Sequence, residues 1–174
     1  MPLSLYAATI PSYLQVLTSV GNLVDKAEAF CTERGLAHDA LLQARLAPDM
    51  LPFAYQVKAS WLHSLGAIHG VRKGVFSPDR SAPPGTFEEL RAGVAAALAE
   101  LQALDPAEVE SFIGRDMRFE FGERRMDFTA EDYLLSFAQP NFYFHATTAY
   151  DILRAQGLPL EKRHFLGRLR LKAA

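Results

Sequence analysis

Four long segments of this sequence carry apolar residues at steps of three and four, and this spacing is the feature that most restricts the fold. It places the apolar side chains on one face of an α-helix. The predicted helices are a first over 10–34 that Gly35 ends, a second over 52–72, a third over 86–104, and a fourth that Thr129 caps and that bends at Pro140. A chain with four such helices is expected to bury the apolar faces against one another.

The stretches between these helices predict loops and one hairpin. Residues 38–44 favour a short helical turn, residues 74–85 a loop rich in Gly, Pro and Ser, and the segment after Gly157 an irregular tail. Apolar and polar residues alternate on both sides of Gly122 between Met117 and Phe128, which indicates a short β-hairpin before the last long helix. We therefore predict an all-α, antiparallel helical bundle that forms a single domain over residues 1–174.

Composition argues against several classes of protein. Apolar residues make up 49% of the chain and charged residues 22%, which suffices for a core. A net charge of −2 and a pI near 6.2 argue against a general nucleic-acid-binding protein. The N-terminal residues do not resemble a signal peptide, no apolar run reaches about 18 residues, and the single cysteine cannot form an internal disulfide. We expect a cytoplasmic protein without nucleic-acid or membrane partners.

The fourth helix carries one histidine, His145, in the middle of its apolar face. Asn141 and Thr148 lie beside it at helical spacing, so the three form a polar patch. Two interpretations remain open. The patch is a pocket for a ligand or metal between helices, or His145 is a core histidine that bonds a facing hydroxyl or amide.

The second helix supplies the residues that could face this patch. Asp49, Gln56 and His63 follow one flank at heptad spacing, and His63 faces either His145 or water. The sequence has no HxxxH or HExxH pair, so the usual helical zinc spacing is absent, although a site assembled from several helices would leave no such motif. It also lacks the GxSxG, GxGxxG and GxxxxGK motifs.

Several segments resemble a family of uncharacterised bacterial and fungal proteins within the DinB/YfiT-like superfamily. They are SLYAATIPSYLQVL, LLQARLAPDMLPFAYQV, DYLLSFAQPNFYFHATTAYDILRAQGLPLEK and HFLG, and they span nearly the whole chain. The resemblance implies an up-down-down-up four-helix bundle, often dimeric, in which many members hold a divalent metal with three histidines. His145 matches one of these positions, whereas Asn141 and Gln56 stand at or near the other two.

Amide side chains at two of the three positions imply a degenerate metal site, because neutral carboxamides are poor ligands for zinc or nickel beside imidazole. We therefore predict a homodimeric protein that binds an unknown small molecule or serves a structural role, with no cofactor. The aromatic run over residues 142–144 favours the dimer, since it presents rings on several faces of one helix. The predicted ligand-binding residues are His145, Asn141, Gln56 and Thr148.

The alternative hypothesis is an enzyme, a transferase or hydrolase that depends on a divalent metal such as Zn or Ni. His145 would then be a ligand, joined by His63 or Asp49 from the second helix. The sequence leaves open whether the protein is an enzyme.

Overall fold

A computed structural model describes residues 3–172, which are mostly helical. In chain order the elements are α1 Leu5–Arg34, α2 Asp39–Leu42, α3 Phe53–Leu62, α4 Leu65–Lys73, β1 Val75–Phe76, α5 Phe87–Gln102, α6 Pro106–Glu110, β2 Asp116–Phe121, β3 Arg124–Thr129, α7 Ala130–Asp132, a π-helical segment Tyr133–Ala138, α8 Gln139–Ala155 and α9 Lys162–Leu166.

The predicted helix ends are confirmed where a capping residue defines them. Gly35 ends α1 in the left-handed region with φ 65°, a conformation that favours glycine. The Thr86 hydroxyl accepts the backbone N–H of Glu89 at 3.1 Å before α5, and the Thr129 hydroxyl accepts that of Asp132 at 3.4 Å before α7. Local side-chain chemistry therefore sets these boundaries.

The predicted second helix over 52–72 is not continuous, and on this point the prediction was wrong. Helix α3 ends at Leu62 and α4 begins at Leu65. Between them Ser64 leaves the helical region, with φ −106° and ψ −85°, and its hydroxyl donates to the Ser60 carbonyl at 2.8 Å. Such a side-chain bond offers the backbone an alternative to the regular helical pattern. The break places His63 at the end of α3.

A π-helical turn, wider than an α-helical one, directly precedes α8. The backbone N–H of Gln139 donates to the Leu134 carbonyl, five residues earlier, as in a π-helix. Pro140 follows immediately and has no N–H to donate, so a regular α-helical pattern cannot continue through this point. The helix continues past Pro140 as predicted, with a π-helical segment just before it, and the predicted bend stays a prediction.

Three strands form a small sheet in the order β1-β2-β3. The predicted hairpin is confirmed: β2 and β3 are antiparallel, with Asp116 opposite Thr129, and Gly122 turns between them at φ 59°. The predicted loop over 74–85 additionally contains β1, which pairs in parallel with β2 and sets Phe76 beside Phe119. The predicted irregular tail contains α9.

The long helices surround one apolar core. Helix α1 packs against α5 and α8, and α3 packs against the same two helices. Large side chains from all four fill the space between them with essentially no exposure: Tyr13, Phe53, Phe87 and Phe142. Within residues 3–172, no helix is both long enough and apolar enough to cross a membrane.

The loop after β1 is fastened to α3 by a buried lysine. Lys58 is 4% exposed, and its Nζ lies 2.8 Å from Asp79 Oδ2, 2.7 Å from Ser81 Oγ and 2.9 Å from the Ser81 carbonyl. Asp79 in turn accepts the backbone N–H of Ser81 at 2.8 Å. Three acceptors therefore satisfy the ammonium, as a buried charge requires.

Candidate functional site

The candidate site lies where α3 packs against α8. Gln56, on α3, is buried, and His145, on α8, is half-buried. The Oε1 atom of Gln56 lies 2.7 Å from Nδ1 of His145. The structure thus brings together two of the predicted site residues, from helices 89 positions apart in sequence.

The orientation of the Gln56 amide fixes the tautomer of His145. Nε2 of Gln56 donates to the Leu51 carbonyl at 2.9 Å, so Oε1 is the atom that faces the imidazole. An amide oxygen only accepts hydrogen bonds, and Nδ1 of His145 must therefore carry the proton. Nε2 of His145 then bears a lone pair. Nε2 has no partner among the described residues and is not sealed from solvent.

A second imidazole stacks on the first. The rings of His63 and His145 lie 5.3 Å apart between centroids, with an interplanar angle of 14°. Phe76 and Phe137 flank His63 at 5.7 and 6.2 Å. Nδ1 of His63 is buried and has no hydrogen-bond partner within residues 3–172. His63 stands at the end of α3, one residue before the break at Ser64.

Both imidazoles are uncharged at neutral pH. Burial lowers the pKa of His145 to about 4. Burial also lowers the pKa of His63 to about 3, and the neighbouring His145 contributes to that shift. Desolvation disfavours the charged form of an imidazole, and a second imidazole beside it acts in the same direction. The site therefore combines neutral rings with one outward-facing acceptor.

The other predicted site residues bond carbonyls four residues earlier in the chain or lie outside the contact. Asn141 donates its Nδ2 to the Phe137 carbonyl at 2.7 Å, and Thr148 donates its hydroxyl to the Phe144 carbonyl at 2.7 Å. Asp49 is exposed in the loop before α3. Asn141 and Thr148 thus make hydrogen bonds to the helix backbone and not to His145. Their spacing in the sequence is compatible with either kind of contact.

Two residues that sequence reasoning missed contact His145. Tyr55 and Phe144 present their rings edge-to-face to it, at centroid distances of 5.9 and 5.3 Å. Phe144 directly precedes His145 in an aromatic run, which was an available signal. The Leu51 carbonyl, which orients Gln56, is a backbone group and has no signature in sequence.

The donor set does not fit the three-histidine metal site that the family resemblance implies. Among the described residues, no three His, Cys, Asp or Glu side chains are grouped so that they could hold a metal ion. Gln56 has its oxygen on His145 and its nitrogen on the Leu51 carbonyl, so its amide positions the imidazole. His63 and His145 are brought together, but Asp49 does not join them in such a group.

Comparison with known proteins identifies the class of fold. A crystal structure of a DinB family member protein from Shewanella denitrificans matches with a TM-score of 0.80 and 27% sequence identity, over 98% of this chain and 96% of that one. The fold is therefore a DinB-like helical fold. Residues 5–166 match the family described as Domain of unknown function (DUF1993), and the chain belongs to that family. No curated protein shows a significant match.

Proposed function

We propose that this protein binds a small molecule at His145 and is not a metalloenzyme. The observation that carries the proposal is the hydrogen-bond relay from the Leu51 carbonyl through Gln56 to Nδ1 of His145. In this relay, the Leu51 carbonyl and the buried Gln56 amide hold the His145 imidazole in one tautomer. A purely structural histidine needs a partner for its buried nitrogen, whereas a fixed Nε2 lone pair at the solvent side suits recognition of a ligand.

The proposed architecture is an up-down-down-up four-helix bundle made of α1, the α3–α4 pair, α5 and α8. Each of α1 and α3 packs against both α5 and α8, which supports this arrangement. A site between two neighbouring helices is typical of bundles, because facing side chains converge there.

We also propose a homodimer formed through α8. Two large apolar side chains of this region reach solvent, Phe144 at 59% and Leu135 at 42% exposed, and we take them as the apolar strip of the proposed interface. A second copy would cover that strip. Light scattering should give a dimer for the wild type and a smaller mass for Phe144→Ser. An unchanged mass in the variant would remove this strip as the interface.

The binding proposal is tested by screening a fragment library by ligand-observed NMR. Fragments that bind the wild type should lose binding to His145→Ala and keep it with His69→Ala. His69 is a suitable control because it is exposed and pairs with Glu100 at 3.0 Å on α5. If the same fragments bind all three proteins, His145 is not the binding residue.

The alternative, a divalent-metal-dependent transferase or hydrolase, has one observation in its favour. Metal-ligating histidines commonly donate one ring N–H to an oxygen, as His145 does to Gln56, and present the other nitrogen to the metal. Elemental analysis of untagged protein decides between the two. Stoichiometric zinc or nickel in the wild type that is lost in His145→Ala would favour the enzyme.

A further inference from the structure

We infer that the ligand of the His145 site is an uncharged molecule that donates an O–H or N–H group to Nε2 of His145. This inference rests on the proposed function and adds the chemical class of the ligand. It follows from the direction of the hydrogen bonds, the charge of the surroundings and the nature of the flanking side chains.

The hydrogen bonds require a donor on the ligand. The Leu51 carbonyl accepts from Gln56, and Gln56 accepts from Nδ1 of His145, so every bond in the relay points the same way. At its outer end Nε2 can only accept while the ring is neutral. A carbonyl, an ether or a carboxylate oxygen would place lone pair against lone pair.

The surroundings disfavour a charged ligand. The hydrogen-bonding and aromatic neighbours of the two rings are uncharged: Gln56, Tyr55, Phe76, Phe137 and Phe144. No charged side chain among the described residues shifts the pKa of either imidazole. An ammonium or a carboxylate entering this site would lose hydration without gaining a counter-charge, and desolvated charges need a partner. A neutral alcohol or amide avoids this cost.

The flanking side chains favour an apolar body behind the donor group. Tyr55 and Phe144 lie edge-to-face with His145 at 5.9 and 5.3 Å between centroids, and Phe144 is 59% exposed. Aromatic surfaces of this kind gain free energy by covering apolar groups. The ligand is thus expected to be amphipathic, with a small polar tip.

Four small probes of nearly equal size separate these requirements: 1-butanol, its isomer methyl propyl ether, butylammonium and butyrate. We expect 1-butanol to bind wild-type protein at pH 7, with shifts of the ¹⁵N-labelled His145 Nε2 resonance as the readout. Without the donor, the ether should bind about threefold to tenfold more weakly, as the loss of one neutral hydrogen bond predicts. The two ions should bind at least about tenfold more weakly.

The variant His145→Asn isolates the role of Nε2. An asparagine Nδ2 stands near the place of the histidine Nδ1, so it can still donate to Gln56 while nothing replaces Nε2. Measured by ligand-observed NMR, which needs no His145 resonance, the preference for butanol over the ether should disappear in His145→Asn and persist in His69→Asn, whose histidine side chain is 39% exposed. Thermal unfolding of both variants confirms that they fold, and His145→Gln, which keeps a polar group near Nε2, serves as the second variant.

The outcomes separate the inference from the proposed function. If either ion binds at the His145 resonance as tightly as butanol, or the ether equals butanol, the inference about ligand class is wrong and binding at His145 stands. If none of the four probes shifts that resonance, both are wrong. Selective binding of butanol that depends on His145 supports both.

Discussion

Two buried polar residues stand two positions apart on α3, Gln56 and Lys58, and their surroundings differ in two respects. The Lys58 ammonium has acceptors from Asp79 and Ser81 within 2.9 Å, so its donors are satisfied. Gln56 also has partners on both amide atoms, but the hydrogen-bond relay of which it is part ends at Nε2 of His145, which has no protein partner among the described residues. The Lys58 cluster has all its donors paired and holds the loop after β1 against α3. The relay ends in an acceptor without a partner within residues 3–172, Nε2 of His145, which is free to bind a ligand.

The second difference is charge. The Lys58 cluster is an ion pair whose carboxylate is 41% exposed, and hydrogen bonds from Lys58 and Ser81 lower the pKa of Asp79 to about 2. The His145 site is neutral, and burial holds both imidazoles in that state. The two regions should therefore respond differently to acid and to substitution.

The largest expected effect is a loss of stability in mild acid that comes from the histidine site. The unfolded chain takes up protons on His63 and His145 below a pKa of about 6.5, whereas the folded protein resists protonation until pH falls to about 4 and about 3. The contribution of each ring is complete above pH 6.5 and is lost as pH falls toward 4 for His145 and toward 3 for His63, on the order of 3 kcal/mol for each histidine. Urea unfolding across this range measures it.

The Asp79 contribution lies in a lower pH window. It is present above the unfolded pKa near 3.8 and is lost as pH falls through about 2. The double variant His63→Phe/His145→Asn should therefore abolish the decline between pH 6.5 and 4, whereas Asp79→Ala should leave it intact. A decline that persists in the double variant would mean that other groups cause it.

Asp79→Ala should cost about 2 kcal/mol in free energy of unfolding at pH 7. It leaves the Lys58 ammonium with Ser81 alone, and breaking a buried pair costs about 3–5 kcal/mol. The expected loss of about 2 kcal/mol is below this range because the Asp79 side chain is 41% exposed, so solvent weakens the pair. Asp127→Ala, which removes a 71% exposed partner of Arg118, is the matched control and should cost under about 1 kcal/mol. Equal losses would show that the Lys58 cluster is an ordinary surface pair.

Gln56→Leu should cost about 1–2 kcal/mol, because it removes the acceptor of a partly buried N–H. Without the Gln56 acceptor, His145 should populate both neutral tautomers, so that the ¹⁵N shifts of the imidazole change from those of the Nδ1–H form to those of a mixture of Nδ1–H and Nε2–H forms. Gln43→Leu, at an exposed position, should change stability by about 0.5 kcal/mol at most. A single unchanged tautomer in Gln56→Leu would contradict the relay.

The smallest effect is expected for His63→Phe, within about 1 kcal/mol of the wild type at pH 7. Nδ1 of His63 is buried without a partner, and its neighbours Phe76 and Phe137 are apolar, so an aromatic hydrocarbon suits the position. Thermal unfolding measures the change. A loss of several kcal/mol would mean that the His63 nitrogen has a partner in solution.

Sequence reasoning succeeded where local chemistry decides the structure. Thr86, Thr129 and Gly35 end or begin helices through their own side chains or backbone freedom, and Gly122 turns the hairpin. The family resemblance placed one site position near Gln56 without fixing its register, and the structure has Gln56 opposite His145.

Sequence reasoning failed where the answer depends on distant or backbone groups. The break at Ser64 and the strand β1 depend on contacts with Ser60 and with β2. Lys58 has the character of a surface residue, and only Asp79 and Ser81, more than 20 positions away, make its burial tolerable.

The sequence by itself determined that apolar faces would pack as helices and that one histidine would stand among them, because side-chain spacing along a helix is a local property. The tertiary structure alone decided the state of that histidine. Its tautomer depends on a Leu51 carbonyl acting through Gln56, and its neutrality depends on burial beside His63. Hydrogen-bond direction and desolvation arise only when separate segments meet.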